Sequence, residues 1–202
     1  MPVHIVRRLR REELPVDTEA LARFLVGKTL VHEVENSRMS GRIVETEAYL
    51  LGDAASHAFR GETRRNRSMF LEHGRAYVYI AYGCWPVLNV ASEASGLGAG
   101  VLIRAMEPLE GIDAMRRNRG SDKLVDLARG PGRLAAAMRI TLAQDGVDLC
   151  GSGPLWLGAP VREPVHVATA TRIGISKEAE RPLRFFERGN PFVSGPRRLI
   201  SP

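Results

Sequence analysis

Residues 76–92, Ala76-Tyr-Val-Tyr-Ile-Ala-Tyr-Gly-Cys-Trp-Pro-Val-Leu-Asn-Val-Ala-Ser92, hold two strand-like runs either side of a turn. Ala76–Tyr82 and Val87–Ser92 are rich in β-branched and aromatic residues. Gly83-Cys84-Trp85-Pro86 between them predicts a β-hairpin with a four-residue loop. Working outward, further strand-like runs lie at Leu30–Val34, Gly41–Leu50 and Gly100–Glu107, with short ones near Val165–Ala168, Thr171–Ile175 and Leu183–Phe186. A helix is expected over Asp17–Val26. Asp17 can cap it, Leu21, Phe24 and Leu25 recur at helical spacing, and Gly27 can end it. Helix-like runs follow around Leu109–Asn118 and Gly132–Met138, and the polar, arginine-rich segment Asp53–Arg67 reads as a loop. Strands dominate the middle and helices flank them, which predicts one mixed α/β (α+β) domain over residues 1–202.

The chain of 202 residues is long enough to bury a core without disulfides or metals, and 44% hydrophobic with 26% charged residues is an ordinary globular balance. No run of eighteen apolar residues is present, so no membrane span is expected. Met1–Arg11 is basic but lacks the apolar stretch of a signal peptide. Cys84 and Cys150 lie far apart, and a reducing, cytoplasmic location is expected. The net charge is +6, and Lys28, Lys123 and Lys177 are the only lysines among 29 basic residues. Arginine forks onto phosphate oxygens, so this balance suits a nucleic-acid partner, although genomic base composition alone can also favour arginine. The clusters Arg7, Arg8, Arg10, Arg11; Arg60, Arg64, Arg65, Arg67; and Arg116, Arg117, Arg119 fit either a phosphate surface or a solvated face.

Polar residues interrupt strands where apolar ones are expected. In Arg42-Ile-Val-Glu-Thr-Glu-Ala-Tyr49, strand alternation puts Ile43, Glu45, Glu47 and Tyr49 on one face. Turned inward, Glu47 is a carboxylate in partly dry surroundings, with the raised proton affinity of a general base; turned outward, both glutamates are simply solvated. Asn89 and Arg104 interrupt two further apolar runs, and buried strands resist such groups unless they are paired. Tyr49, Tyr77, Tyr79 and Tyr82 fall close together with His57 among them. Plain core is one reading of these rings, but Tyr82 at the hairpin turn is expected to project outward, as a wedge between stacked bases would. A wedge, an aromatic pocket and a carboxylate are what base-flipping chemistry needs.

Several segments together resemble the alkyladenine (3-methyladenine) DNA glycosylases. They are Val44-Glu-Thr-Glu-Ala-Tyr49, Arg64-Arg-Asn-Arg-Ser-Met-Phe70, Tyr77-Val-Tyr-Ile-Ala-Tyr-Gly83, Val101-Leu-Ile-Arg-Ala-Met-Glu-Pro-Leu-Glu-Gly111, Gly130-Pro-Gly-Arg-Leu134, Thr171-Arg-Ile-Gly-Ile175 and Arg181-Pro-Leu-Arg-Phe185. The resemblance runs in order from about residue 9 to 197. It implies a curved antiparallel sheet flanked by helices, with a protruding hairpin that enters the minor groove of double-stranded DNA. It also implies a monofunctional enzyme that flips out and hydrolyses alkylated purines (3-methyladenine and 7-methylguanine), with ethenoadenine and hypoxanthine left open. Residue by residue, it implies Glu47 as the base that activates water, Arg104 beside that water, and Ile173 contacting it through its carbonyl. Tyr49, His57 and Tyr79 become the walls of the base pocket. Asn89 becomes the amide that crowds normal guanine, and Tyr82 the intercalating ring. Arg64, Arg65, Arg67 and Arg172 are expected on the DNA backbone. The stretch between Tyr49 and His57 is one residue shorter than in some members of that family.

No metal and no cofactor is expected: His4, His32, His73 and His166 are scattered, without ligand spacing. No lysine lies in the matched pocket segments, so no Schiff-base step on DNA is expected. Two rival readings are a non-catalytic damaged-DNA-binding protein, with the same surface but no chemistry at Glu47, and a hydrolase of free nucleosides. The arginine clusters and the Tyr82 hairpin argue against the second, because a nucleoside has neither phosphates nor a stack. A monomer is expected.

Overall fold

The computed structural model describes residues 6–35, 37–164 and 166–195. Eight strands and three α-helices are present among them: α1 (Thr18–Leu25), β1 (Thr29–Val34), β2 (Ser37–Tyr49), β3 (Ala76–Ala81), β4 (Trp85–Ala91), β5 (Gly100–Glu110), α2 (Ile112–Arg119), α3 (Pro131–Ala137), β6 (Leu155–Gly158), β7 (Val167–Ala170) and β8 (Arg184–Glu187). The strands form one curved sheet in the order β3-β4-β5-β2-β1-β6, with β8 paired to β2 and β7 to β8. Every strand pairing is antiparallel. The α+β class expected from the strand and helix runs is what the molecule adopts.

Alternation along four neighbouring strands separates two faces. Ala76 and Val78 of β3, Leu88 and Val90 of β4, Val101 and Ile103 of β5, and Ile43 and Ala48 of β2 all enter the main core. There they meet Leu21, Ala22 and Leu25 of α1. Each buried leucine or isoleucine contributes about 1.5–3 kcal/mol of hydrophobic stabilisation. Asp17 caps α1 by accepting from the Ala20 amide at 2.8 Å, and Thr46 Oγ1 ties β2 to that helix through the Ala22 carbonyl at 2.8 Å. The residues in between point to the opposite face.

β2 breaks the simple alternation. Its register with β5 shifts between Ile43 and Glu45 and again between Glu45 and Thr46. Ile43 consequently joins the main core, while Val44 packs with Ala105, Phe186 and Phe192 on the other side. The expectation that Ile43 shares a face with Glu45, Glu47 and Tyr49 is corrected here, because a bulge re-aims the side chains that follow it. Beyond the bulge the free edge of β2 leaves β1 and takes β8, through Glu45↔Phe186, Thr46↔Phe185 and Glu47↔Arg184.

Four other expectations change. The hairpin strands are closed by Ala81↔Trp85, leaving Tyr82-Gly83-Cys84 as a three-residue loop. Pro86 is tolerated in β4 because the pairing of β4 with β5 covers only Asn89–Ala91, so its missing N–H faces no neighbour. Leu109 is strand rather than helix: β5 runs on to Glu110, opposite Ser40, and α2 begins only after Gly111. Thr171–Ile175 is not a strand, because its backbone groups are directed into the site described below. The short strand expected at Val165–Ala168 is seen as Val167–Ala170; Val165 and His4 lie outside the described residues. β6, between Gly/Pro-rich flanks, was not anticipated; it pairs with β1.

Candidate active site

The face turned away from the core carries a single cross-strand row. Tyr77 pairs with Asn89, Asn89 with Leu102, Leu102 with Glu47, and Glu47 with Arg184, across β3, β4, β5, β2 and β8. Two residues from that row stand Tyr79, Val87 and Arg104 on one side and Tyr49 on the other. All of these except Glu47 and Arg184 line a cleft of about 640 Å³. The cleft is roofed by the segments around His57 and Ile173, and Tyr82 and Trp85 of the hairpin stand at its rim.

Glu47 is fully buried. Its Oε2 accepts from Arg104 Nη1 at 3.2 Å and from the Tyr49 hydroxyl at 3.1 Å, and its Oε1 accepts from the amide of Ile173 at 2.7 Å. Burial raises its proton affinity above the ordinary carboxylate value, while the Arg104 charge and the Ile173 amide pull the other way. The group is therefore an oriented carboxylate with the basicity that dry surroundings confer. Ile173 meets Glu47 through its N–H; the carbonyl contact expected from the resemblance concerns a water and is a separate matter.

The aromatic residues form two walls. His57 and Tyr79 touch each other edge to face with centroids 4.3 Å apart, and Tyr77 stacks on Tyr79 at 5.4 Å. No planar base fits between His57 and Tyr79, whose rings already touch. One face of Tyr49 is already covered by the Arg172 guanidinium, 4.7 Å from the ring centroid. Only the other face is open to the cleft. Burial and the nearby Arg65 lower the His57 pKa, which favours a neutral imidazole. Its Nδ1 shares a hydrogen bond of 2.9 Å with the Tyr77 hydroxyl. Asn89 is buried and donates from Nδ2 to the Tyr77 carbonyl at 3.2 Å, which fixes its amide.

The loop bearing His57 is pinned at several points. The Ala54 amide donates to Glu178 Oε1 at 2.9 Å, and Asn66 Nδ2 donates to the His57 carbonyl at 2.9 Å. Arg172 completes the clamp. Its guanidinium is buried and bonds the Asp53 carboxylate, the Ala48 carbonyl at 3.0 Å and the Glu178 carbonyl at 3.4 Å. Arg172 is thus not available to a DNA phosphate, and the backbone-contact expectation for it is corrected. A buried carboxylate at Asp53 and an open tyrosine face draw the guanidinium inward. Arg64, Arg65 and Arg67 are exposed, and Arg65 reaches the Ile80 carbonyl at 3.3 Å.

At the hairpin tip Tyr82 is 87% exposed and adopts a left-handed backbone, φ 49°, with Gly83 at 74°. A large aromatic ring in that position gains nothing from burial. Gly174, at φ 79°, lies beneath it: a Cβ there would come within 3.5 Å of the Tyr82 hydroxyl. Sequence reasoning did not single out Tyr77 as a pocket partner, nor Trp85, Arg129 and Arg133 on the far rim. The signal for Tyr77 was present, since it alternates with Tyr79; Trp85 reads as a turn residue, and Arg129 and Arg133 come from a distant segment. Among the described residues no lysine lines this cleft, and Lys177 lines a smaller recess behind His57. No group of three or more His, Cys, Asp or Glu that could hold a metal is found among the described residues, and no helix there is long and apolar enough to cross a membrane.

Comparison with known proteins adds an independent line. The family model described as methylpurine-DNA glycosylase matches residues 12–191. A Mesorhizobium japonicum protein named "Putative 3-methyladenine DNA glycosylase" is 62% identical over 191 residues, covering 95% of this chain and 92% of its own. Proteins of the same name from Paraburkholderia phytofirmans and Methanoculleus marisnigri are 54% and 45% identical, covering 95% and 88% of this chain and 90% and 94% of their own. With the matched region running through every element that builds the cleft, the chain belongs to the methylpurine-DNA glycosylase family.

Proposed function

We propose that this protein is a monofunctional DNA glycosylase that flips alkylated purines out of duplex DNA and hydrolyses their N-glycosidic bond. The observation that carries the reading is Glu47, a buried carboxylate oriented by three hydrogen bonds beside an aromatic cleft and below an exposed tyrosine hairpin. Alkylation at N3 or N7 leaves the purine cationic and ready to depart. The protein has to hold the nucleotide out of the stack and supply water. Extrusion costs a few kcal/mol. Stacking of the base on Tyr49 against His57 and Tyr79 returns ~1–3 kcal/mol, and Tyr82 fills the gap left in the duplex. Glu47 takes the proton of the attacking water and stabilises the positive sugar. Arg104 and Ile173 hold the carboxylate and the water in place, and Asn89 crowds the exocyclic amino group of normal guanine. Arg64, Arg65 and Arg67 meet phosphates, and the protein works as a monomer without metal or cofactor.

The substrates are 3-methyladenine and 7-methylguanine, with ethenoadenine and hypoxanthine to be decided by assay. The test is release of bases from methylated DNA and from oligonucleotides bearing single lesions. Glu47→Gln is expected to abolish release while retaining lesion binding. Release by the variant at the wild-type rate overturns the base assignment. Tight lesion binding without release by the wild-type protein moves it to the damage-binding class. Strand cleavage with a DNA adduct trapped by borohydride contradicts the monofunctional reading, because that chemistry needs an amine nucleophile.

A further inference from the structure

Behind Glu47 lies a second buried carboxylate that the hydrolysis does not use. Glu45 is fully buried on the same face of β2. Its Oε2 accepts from the Ser194 amide at 2.8 Å and its Oε1 from Arg184 Nη1 at 3.0 Å. Arg104 stands between the two carboxylates: Nη1 donates to Glu47, while Nε lies 3.6 Å from Glu45 Oε1 and has no hydrogen-bond partner. Arg184 turns its own Nε to the Thr171 carbonyl at 2.9 Å. Two residues on, the Ile173 amide reaches Glu47. The contacts close on themselves, from Glu47 through Arg104, Glu45, Arg184 and Thr171 to Ile173 and back.

We propose that Glu45 and Arg184 are positioning residues that tune the reactivity of Glu47, acting through Arg104 and the 171–173 segment. The proposal rests on the reading of Glu47 as the base. The groups that face Glu47 are Glu45 and Tyr49 from β2, Tyr79 from β3, Arg104 from β5, the Ile173 amide, and Arg184 from β8 by way of Glu45. Glu45 opposes the charged form of Glu47, and Arg184 balances Glu45. Without the Glu45 charge, Arg104 and Arg184 both favour the Glu47 carboxylate, and the acid limb of the rate profile moves to lower pH. Without the Arg184 charge, Glu45 is left with only Arg104, which it shares with Glu47, and the Ser194 amide, and the limb moves to higher pH. Damage to packing slows both variants but does not drive the limb in opposite directions.

The experiment is single-turnover release of 7-methylguanine from duplex DNA across a pH series. This lesion is already cationic, so leaving-group protonation adds no limb of its own. Glu45→Gln is expected to lower the limb and Arg184→Gln to raise it, each by about 0.5 pH unit or more. The double variant should return near wild type. Arg184→Lys keeps the charge and should hold the limb while lowering the maximal rate, because a single ammonium nitrogen cannot span Glu45 and Thr171 as the guanidinium Nη1 and Nε do. Limbs that stay put, or move together, overturn the proposal. If Arg184→Gln does not fold, Glu45→Gln and Arg184→Lys carry the test: a limb displaced only in the first supports it, and one displaced in neither overturns it. Glu47→Gln is assayed alongside. Full activity there overturns the base assignment and this inference with it, whereas an inactive Glu47→Gln with unmoved limbs overturns this inference alone.

Discussion

Burial pushes the Glu47 carboxyl above its ordinary range even though Arg104 and the Ile173 amide oppose it. A carboxyl whose folded value exceeds its unfolded one binds protons more tightly when folded. Its ionisation therefore costs stability, not at all below the unfolded value and fully once pH has risen through the folded value. Glu47→Gln is expected to melt above the wild type at neutral pH, with the difference closing as pH falls into the carboxylate range. Thermal melts of both proteins over a pH series measure this, and a variant less stable at neutral pH contradicts it. The same residue thus trades stability for basicity. On the proposed reading His57 acts by staying neutral: burial and Arg65 lower its pKa, so the imidazole adds no positive charge against a cationic purine.

At the scale of the element, the hairpin and the bulge divide the work. The bulge in β2 turns Glu45, Glu47 and Tyr49 onto the cleft side and brings β8 alongside, where Arg184 can reach Glu45. The hairpin extends beyond the β4–β5 pairing and so holds Tyr82 clear of the sheet. Tyr82→Ala removes a ring that contributes little to folding. It is expected to leave the melting temperature unchanged while slowing excision from duplex DNA about tenfold, within the ~1–3 kcal/mol that a stacked ring is worth. Equal excision rates from duplex DNA for variant and wild type would remove the wedge from the mechanism. The hairpin was legible because two β-rich runs flank a glycine. The three-residue loop was not, since Trp85 and Pro86 resemble turn residues until their pairing with Ala81 and Ile80 is seen.

For the whole molecule, the net charge of +6 and the exposed Arg64, Arg65 and Arg67 predict binding that weakens steeply with salt. Arg64→Gln and Arg67→Gln are each expected to reduce the slope of log affinity against log salt by about 1. Arg172→Gln should leave that slope alone and instead destabilise the fold by about 3–5 kcal/mol, because it strands the buried Asp53. Fluorescence titrations at several salt concentrations and denaturant unfolding separate the two outcomes. A reduced slope for Arg172→Gln would put its guanidinium on DNA after all.

The amino-acid sequence by itself determined the α+β class, the strand runs that carry Glu47, Tyr79, Asn89 and Arg104, and the family resemblance, because alternation and polar interruptions of apolar runs are local patterns. Only the tertiary structure decided that Ile43 leaves the Glu47 face, that Arg172 turns inward to Asp53 and Tyr49, and that Thr171–Ile175 is a clamp rather than a strand. Each of these depends on a partner far away in the chain: β5 and β8 for the bulge, Asp53 for Arg172, Glu47 and Arg184 for the clamp. Buried charges settle wherever a counter-charge meets them, and the spacing of residues along one strand carries no record of where that is.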